Sequence, residues 1–440
     1  MCALRVSSLR IFFLALAVAT IASCSSDGGV DPTEPSSNIA SIAVSSIPTS
    51  LIVAETYTLS ATPRNPSGGE VDTPVSWRSS NEAVATVVAG FVTAKGTGTA
   101  DIFAEAGGKS ASARIDVVAT ERIVSEDRYS DGVIGFSSAR NGGELDVYVV
   151  GPSGVQRVTT SPDHEQFDGW SPDGTRVALL RFPVNTDVVT SHIANADGTG
   201  DVLVSNGIVN WAPDWLHRGT VLENQITVSN ADGSGQHTVG IPAFALFGPW
   251  WSPDGKKVAF GLTETQAALA DIYVANLDGT GLVNVTNTPL VSEEFASWSP
   301  DGLRLAITGE NRNTGLGSSV FVVDASGSGL KQLTASPATH ADYEPQWSPN
   351  GKLISYTTFT GRTYGLLVID PAGGSPVRLT PATMVAGFGK WSPDGKRLAF
   401  TAIAEGSTRQ GIFVITLDRR TMIQLTRNSG DNLGPFWRPN

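Results

Sequence analysis

Gly169-Trp170-Ser171-Pro172-Asp173-Gly174 is a stretch that the chain repeats. Trp251-Ser252-Pro253-Asp254-Gly255, Trp298-Ser299-Pro300-Asp301-Gly302, Trp347-Ser348-Pro349-Asn350-Gly351 and Trp391-Ser392-Pro393-Asp394-Gly395 are near-copies. Trp211-Ala212-Pro213-Asp214 is a worn copy, and Trp437-Arg438-Pro439-Asn440 is a last one. The seven tryptophans lie 41, 40, 47, 49, 44 and 46 residues apart. A period of roughly 40–50 residues, with one aromatic and one glycine turn in each unit, is the mark of a β-propeller.

Each unit reads the same way, and residues 247–287 show it. Phe247–Ser252 is a strand, Pro253-Asp254-Gly255 a turn, and Lys256–Phe260 a second strand. Asp271–Ala275 is a third strand, Asn276–Gly281 a turn, and Leu282–Thr286 a fourth. In the Pro-Asp-Gly turn, proline presets φ, Asp or Asn caps backbone N–H groups, and glycine takes the left-handed position. Asn350 standing for Asp fits that role, so these carboxylates read as structural and not as metal ligands. The tryptophans read as fillers between neighbouring twisted sheets. Second strands and tryptophan strands both number seven, displaced by one, so Leu433–Trp437 is expected to complete the sheet that begins near Val133. Such closure removes two open sheet edges. The expected fold is all-β: an N-terminal β-sandwich followed by a seven-bladed β-propeller closed by the C-terminal strand. The unit at 205–240, which has lost its glycine turn, leaves six blades as the alternative count.

Trp-Ser-Pro-Asp-Gly, followed by Arg397-Leu398-Ala399-Phe400 or Lys257-Val258-Ala259-Phe260 and then Asp271-Ile272-Tyr273-Val274, resembles the TolB-type propeller repeat across residues 128–440. That family carries a mixed α/β N-terminal domain and six blades. This chain departs from it in both respects, so the resemblance is to the propeller and does not extend to a Tol–Pal role.

The chain before the propeller divides into four parts. Arg5 and Arg10 precede the apolar run Ile11–Ala22, which is too short to span a bilayer and reads as a secretory signal over residues 1–23. Ile21-Ala22-Ser23-Cys24 resembles the lipobox of bacterial lipoproteins, which implies a diacylglycerol on Cys24 and a protein held at the membrane by acyl chains. Ser25 after the cysteine resembles the pattern of outer-membrane sorting. Residues 24–38 are Ser, Gly, Pro and acid, a flexible tether. Residues 39–118 carry short β-branched runs at a spacing of roughly 10 residues, a β-sandwich pattern. There Val75-Ser76-Trp77-Arg78-Ser79-Ser80-Asn81, Val84–Val87, Gly90–Ala94 and Gly96–Ala100 resemble the group 2 bacterial Ig-like domain, in which Trp77 is a core anchor and the domain a spacer. Residues 119–127 are a linker.

With 30 basic against 42 acidic residues, the chain is a poor partner for nucleic acid or for an anionic membrane surface. Cys2 and Cys24 are its only cysteines, so the body holds neither a disulfide framework nor a cysteine zinc site. No Gly-x-Ser-x-Gly elbow, His-Glu-x-x-His, phosphate loop or dinucleotide fingerprint occurs, and no catalytic residue is assigned. Acids do recur just before the tryptophan strands: Asp163 and Glu165, Glu293 and Glu294, Asp342 and Glu344, and Asp431. Residues there are expected to gather at one mouth of the central channel. Glu165, Glu294, Asp342, Glu344 and Asp431 are the candidate ligand-binding residues, a negative ring suited to Ca²⁺ or a basic peptide. No other cofactor is expected. The leading expectation is a lipid-anchored cell-envelope protein whose propeller binds an envelope protein, peptide or glycan. The rival is a metal-assisted polysaccharide lyase or hydrolase using His164, Glu165 and His340.

Overall fold

The structure, a computed structural model, describes residues 39–439 apart from 46–49, 54, 119–121, 126–127, 141, 185, 187, 223–224, 240–244, 264–267, 312–316, 338, 362, 405, 419–420 and 427–429. The signal segment, Cys24 and the tether therefore lie outside the described residues. Every regular element described is a β-strand.

Residues 39–118 form three small sheets. Ser41–Val44 pairs with Ala61–Arg64; Leu51–Ile52, Lys109–Val118, Gly98–Ala106 and Ser76–Ser79 make the second; Thr56–Thr58, Phe91–Ala94 and Ala85–Val88 the third. Inward positions alternate along the long hairpin: Ala100, Ile102, Ala104 and Ala106 on one strand, Ala113, Ile115 and Val117 on the other. Trp77 is half-buried against this core. The tight turn into Phe91 needs glycine at Gly90, where φ is +83° and a Cβ would stand 2.5 Å from the Leu59 carbonyl oxygen. Arg122–Ser125 then runs parallel to Thr421–Gln424, adding an outer strand to the last propeller sheet.

From Tyr129 onward the chain makes seven antiparallel sheets in chain order. Asn432–Trp437 pairs with Ile134–Ser138, so the first sheet takes its edge strand from the end of the chain and adds Asp146–Gly151 and Gly154–Arg157. The other six begin on His164–Trp170, Asn210–Trp211, Ala245–Trp251, Val291–Trp298, Ala341–Trp347 and Val385–Trp391, each followed by three strands stacked outward. The apolar cores lie between sheets. Phe136 and Tyr148 of the first pack with Ile412 and Val414 of the seventh, and Val147 and Val149 with Phe167 and Val177 of the second.

The seam between the second and third sheets is different: among the described residues no shared apolar cluster bridges it. Arg218 reaches across to the Val204 carbonyl at 3.0 Å instead. This is the worn repeat. Ala212 has replaced the turn serine, and Trp215 occupies the glycine position at φ +55°, stacked on Trp211 at 5.1 Å between ring centroids. A bulky residue in the left-handed region is a true outlier.

Candidate functional site

The tryptophan strands are the inner edges of the sheets, and a cavity of about 830 Å³ runs along them. In the intact turns, the serine hydroxyl donates to the Asp carboxylate: Ser171 to Asp173 at 2.6 Å, Ser252 to Asp254 at 2.7 Å, Ser299 to Asp301 at 2.5 Å and Ser392 to Asp394 at 2.5 Å. Asn350 accepts in the same way from Ser348 at 2.8 Å. Hydrogen bonds from Ser171 and from the Thr175 amide and hydroxyl hold Asp173 down at about 2. These acids staple the turn that ends the inner strand.

The indoles do more than fill space. Five of the seven donate Nε1–H to the carbonyl of the residue before the preceding tryptophan: Trp298 to Trp250 at 2.9 Å, Trp391 to Gln346 at 3.0 Å, Trp437 to Lys390 at 2.9 Å, Trp170 to Phe436 at 3.1 Å and Trp251 to Asn210 at 3.2 Å. The relay passes across the junction between the end of the chain and the second sheet. Trp347 is the exception among buried indoles, for its Nε1 has no partner.

A bulge interrupts six of the seven inner strands a few residues before the tryptophan. The ladder jumps between Phe167 and Gly169, Phe247 and Trp250, Glu293 and Phe295, Tyr343 and Gln346, Gly387 and Lys390, and on the first sheet between Gly135 and Ser137 opposite Leu433 and Phe436. The extra residues are Asp168, Gly248-Pro249, Glu294, Glu344-Pro345, Phe388-Gly389 and Gly434-Pro435. Bulges re-aim side chains, and they gather beside binding sites. Glu344 and Phe388 take left-handed backbone, at φ +48° and +59°.

The five expected ligand residues separate accordingly. Glu294 and Glu344, both bulge residues, come together in one cavity of about 360 Å³ whose wall includes Tyr343, Tyr364 and Phe388. Burial raises the Glu344 carboxyl above its ordinary value, and the Lys390 ammonium pulls the other way. Glu165 and Asp342 require a correction, because they do not face the mouth. The Glu165 side chain is fully buried and pairs with Arg181 at 2.7 Å, and Arg181 also holds Asp201 at 2.6 Å. Asp342 is buried too and accepts from Ser336 Oγ at 2.7 Å. Both stand five residues before their tryptophan, on the packed side of the strand. Asp431 is exposed, away from that cavity, where it accepts from the Gln410 amide at 3.1 Å.

Asp168 and Lys390 escaped the sequence reading and both line the larger channel cavity. Burial lifts Asp168 to about 6 and lowers Lys390, whose ammonium sits 5.4 Å over the Phe436 ring. Glycine and proline just before the tryptophan are the signal that marks a broken ladder, as in Gly248-Pro249, Gly389 and Gly434-Pro435.

Glu293, the neighbour of Glu294, is only 1% exposed and pushed up to about 8, by burial first and by the nearby Asp271 carboxylate. The folded protein thus keeps a proton that the unfolded chain has released above the ordinary value of 4.5. Between those values the folded state binds more protons, so stability falls as pH rises, by at most about 1.4 kcal/mol per pH unit. Glu293→Gln is expected to flatten the decline of melting temperature between pH 5 and pH 8 and to be the more stable form at pH 8. Equal slopes for the two proteins would show that Glu293 does not hold that proton.

Each histidine has its own neighbours. His164 Nδ1 is 3.2 Å from Glu144, His192 Nδ1 2.8 Å from Asp201, and His340 Nδ1 3.0 Å from its neighbour Thr339. His237 lies between the Gly235 and Leu277 carbonyls, and His217 stands 3.8 Å from Asp214. Among the described residues no three His, Cys, Asp or Glu side chains converge as a metal site, and the trio of the lyase reading forms none.

Comparison with known proteins gives the class first. Oligogalacturonate lyase in complex with manganese superposes with a TM-score of 0.53 at 16% identity, over 66% of this chain and 88% of that one. The β-propeller domain of the Trilobed protease from Pyrococcus furiosus gives 0.50 at 12% identity, over 70% of this chain and 99% of the domain. At such identities the likeness is one of fold: this is an all-β chain built on a β-propeller. Sequence narrows it. Residues 339–440 match the TolB beta propeller domain model. The Tol-Pal system protein TolB of Francisella tularensis subsp. mediasiatica (strain FSC147) is 27% identical over 134 residues, 30% of this chain and 30% of that protein. The propeller is TolB-like, and the chain spans less than a third of the length of that curated relative.

Proposed function

We propose that the chain is a cell-envelope lipoprotein whose seven-bladed propeller binds a protein, peptide or glycan at the mouth beside Glu294 and Glu344, without acting on it chemically. The bulged inner strands carry this reading: they take two carboxylates out of the ladder and set them, with four aromatic side chains, around one open cavity. The seven sheets are read as seven blades of one ring, closed by Asn432–Trp437. Residues 39–118 are read as a group 2 bacterial Ig-like spacer, and Cys24 as the lipid anchor in the outer membrane. The likeness of the propeller to that of TolB, a Tol-Pal system protein, supports an envelope location.

The rival reading, a metal-assisted lyase, draws on the fold neighbour in complex with manganese. The two part in one assay. Purified protein with oligogalacturonate, with and without Mn²⁺, is expected to give no unsaturated product, and turnover in either condition would overturn the non-catalytic reading. Replacing Cys24 by serine is expected to move the protein from the membrane to the soluble fraction. A variant still membrane-bound would remove the lipid anchor from the proposal.

A further inference from the structure

We propose that the cavity beside Glu294 and Glu344 is a site for an organic cation: a primary or quaternary ammonium group of the size that ends a lysine side chain. This rests on the reading of the mouth as a binding surface and names the chemistry of what enters it.

The cavity, about 360 Å³, draws its wall from the fifth, sixth and seventh sheets. Neither carboxylate has a hydrogen bond or ion pair with another described residue. Lys390, whose ammonium lies 5.4 Å over the Phe436 ring, is the charged neighbour of Glu344; among the described residues Glu294 has no cation paired with it. The rings supply the second half of a cation site. Tyr343, Tyr364 and Phe388 remain 38%, 37% and 49% exposed, though each is an aromatic side chain at a cavity wall. A third group points the same way. Thr308, in the same wall, is only 7% exposed and its hydroxyl oxygen has no partner. A buried hydroxyl without a partner is costly unless a ligand supplies one.

Ligand chemistry follows from elimination. Calcium takes six to eight oxygen ligands. Here two carboxylates share a wall with aromatic rings. A neutral sugar leaves Glu294 without a counter-charge. An ammonium ion satisfies the acids by charge, with hydrogen bonds as well where it is primary, and the rings by cation–π attraction.

Calorimetric titration of the whole protein with choline, with Nα-acetyl-lysine methylamide and with 3,3-dimethyl-1-butanol, the uncharged isostere of choline, tests this. Both cations are expected to bind saturably, and choline more tightly than its isostere by on the order of tenfold or more. In E294Q/E344Q, choline is expected to fall to the level of the isostere, with the unfolding transition unchanged. Phe388→Leu, which removes a ring and no charge, is expected to weaken choline more than the isostere. Equal binding of choline and isostere by the wild-type protein would overturn the cation class while leaving the mouth a binding surface. No saturable binding of any of the three probes would overturn both. Displacement of choline by stoichiometric Ca²⁺ would make this a metal site and overturn the proposal.

Discussion

Alanine in place of Trp298 is expected to lower the unfolding free energy by about 3–5 kcal/mol, the loss typical of a large buried ring. Two terms make up that loss, and the repeat itself separates them. Trp298 and Trp347 occupy equivalent places on adjacent sheets and are 7% and 6% exposed. Trp298 Nε1 donates to the Trp250 carbonyl at 2.9 Å, while Trp347 Nε1 has no acceptor. Phenylalanine keeps most of the packing and removes the N–H. Trp298→Phe should therefore cost about 1–2 kcal/mol more than Trp347→Phe, because it leaves the carbonyl without its donor. At Trp347 the same change removes a buried, unsatisfied group and should be close to neutral. Urea unfolding of the two phenylalanine variants measures the difference. Equal losses would mean that the indole relay contributes nothing and that the tryptophans act by packing alone.

Removing Arg181 is the second large effect. Its guanidinium lies between a fully buried Glu165 and a partly exposed Asp201, at 2.7 and 2.6 Å. Oε2 of Glu165 already lacks a partner. Arg181→Met leaves a charge in the interior with nothing to balance it, a loss of about 3–5 kcal/mol. Adding Glu165→Gln removes the stranded charge, and the double variant should regain most of the loss at neutral pH. A double variant as unstable as the single one would show that Arg181 works through Asp201 and His192. Such an outcome would return Glu165 to consideration as a site residue.

The repeat made the sheets and turns legible. Trp-Ser-Pro-Asp-Gly places the end of each inner strand and its hairpin, and the structure puts strands at Ala245–Trp251, Lys257–Thr263 and Asp271–Asn276 where the pattern has them. Local chemistry sufficed there, because proline, Asx and glycine each fix one backbone angle. The mouth was legible only in part. Counting residues back from the tryptophan assumes an unbroken alternation of faces, and one extra residue inverts it. Glu165 and Asp342 lie beyond the bulge and turn into the packing, whereas Glu294 and Glu344 are the bulge. Asp168 and Phe388 were passed over for the same reason. The tyrosines depend on pairing as well: Tyr343 joins Thr357 across the ladder and Tyr364 joins Phe359, a meeting that no single strand announces.

Closure decides the site, because a mouth ringed by inner strands exists only if the last strand completes the first sheet. The body of the chain has no cysteine, so an engineered pair reports cleanly. Ser137 and Leu433 face each other in the antiparallel register of that sheet. In Ser137→Cys/Leu433→Cys, mild oxidation is expected to form an intramolecular disulfide joining the peptides that contain residues 137 and 433, seen by mass spectrometry without loss of the folded state. A folded protein whose two thiols remain free, or bridge only between molecules, would contradict the closed ring and with it the site at its mouth.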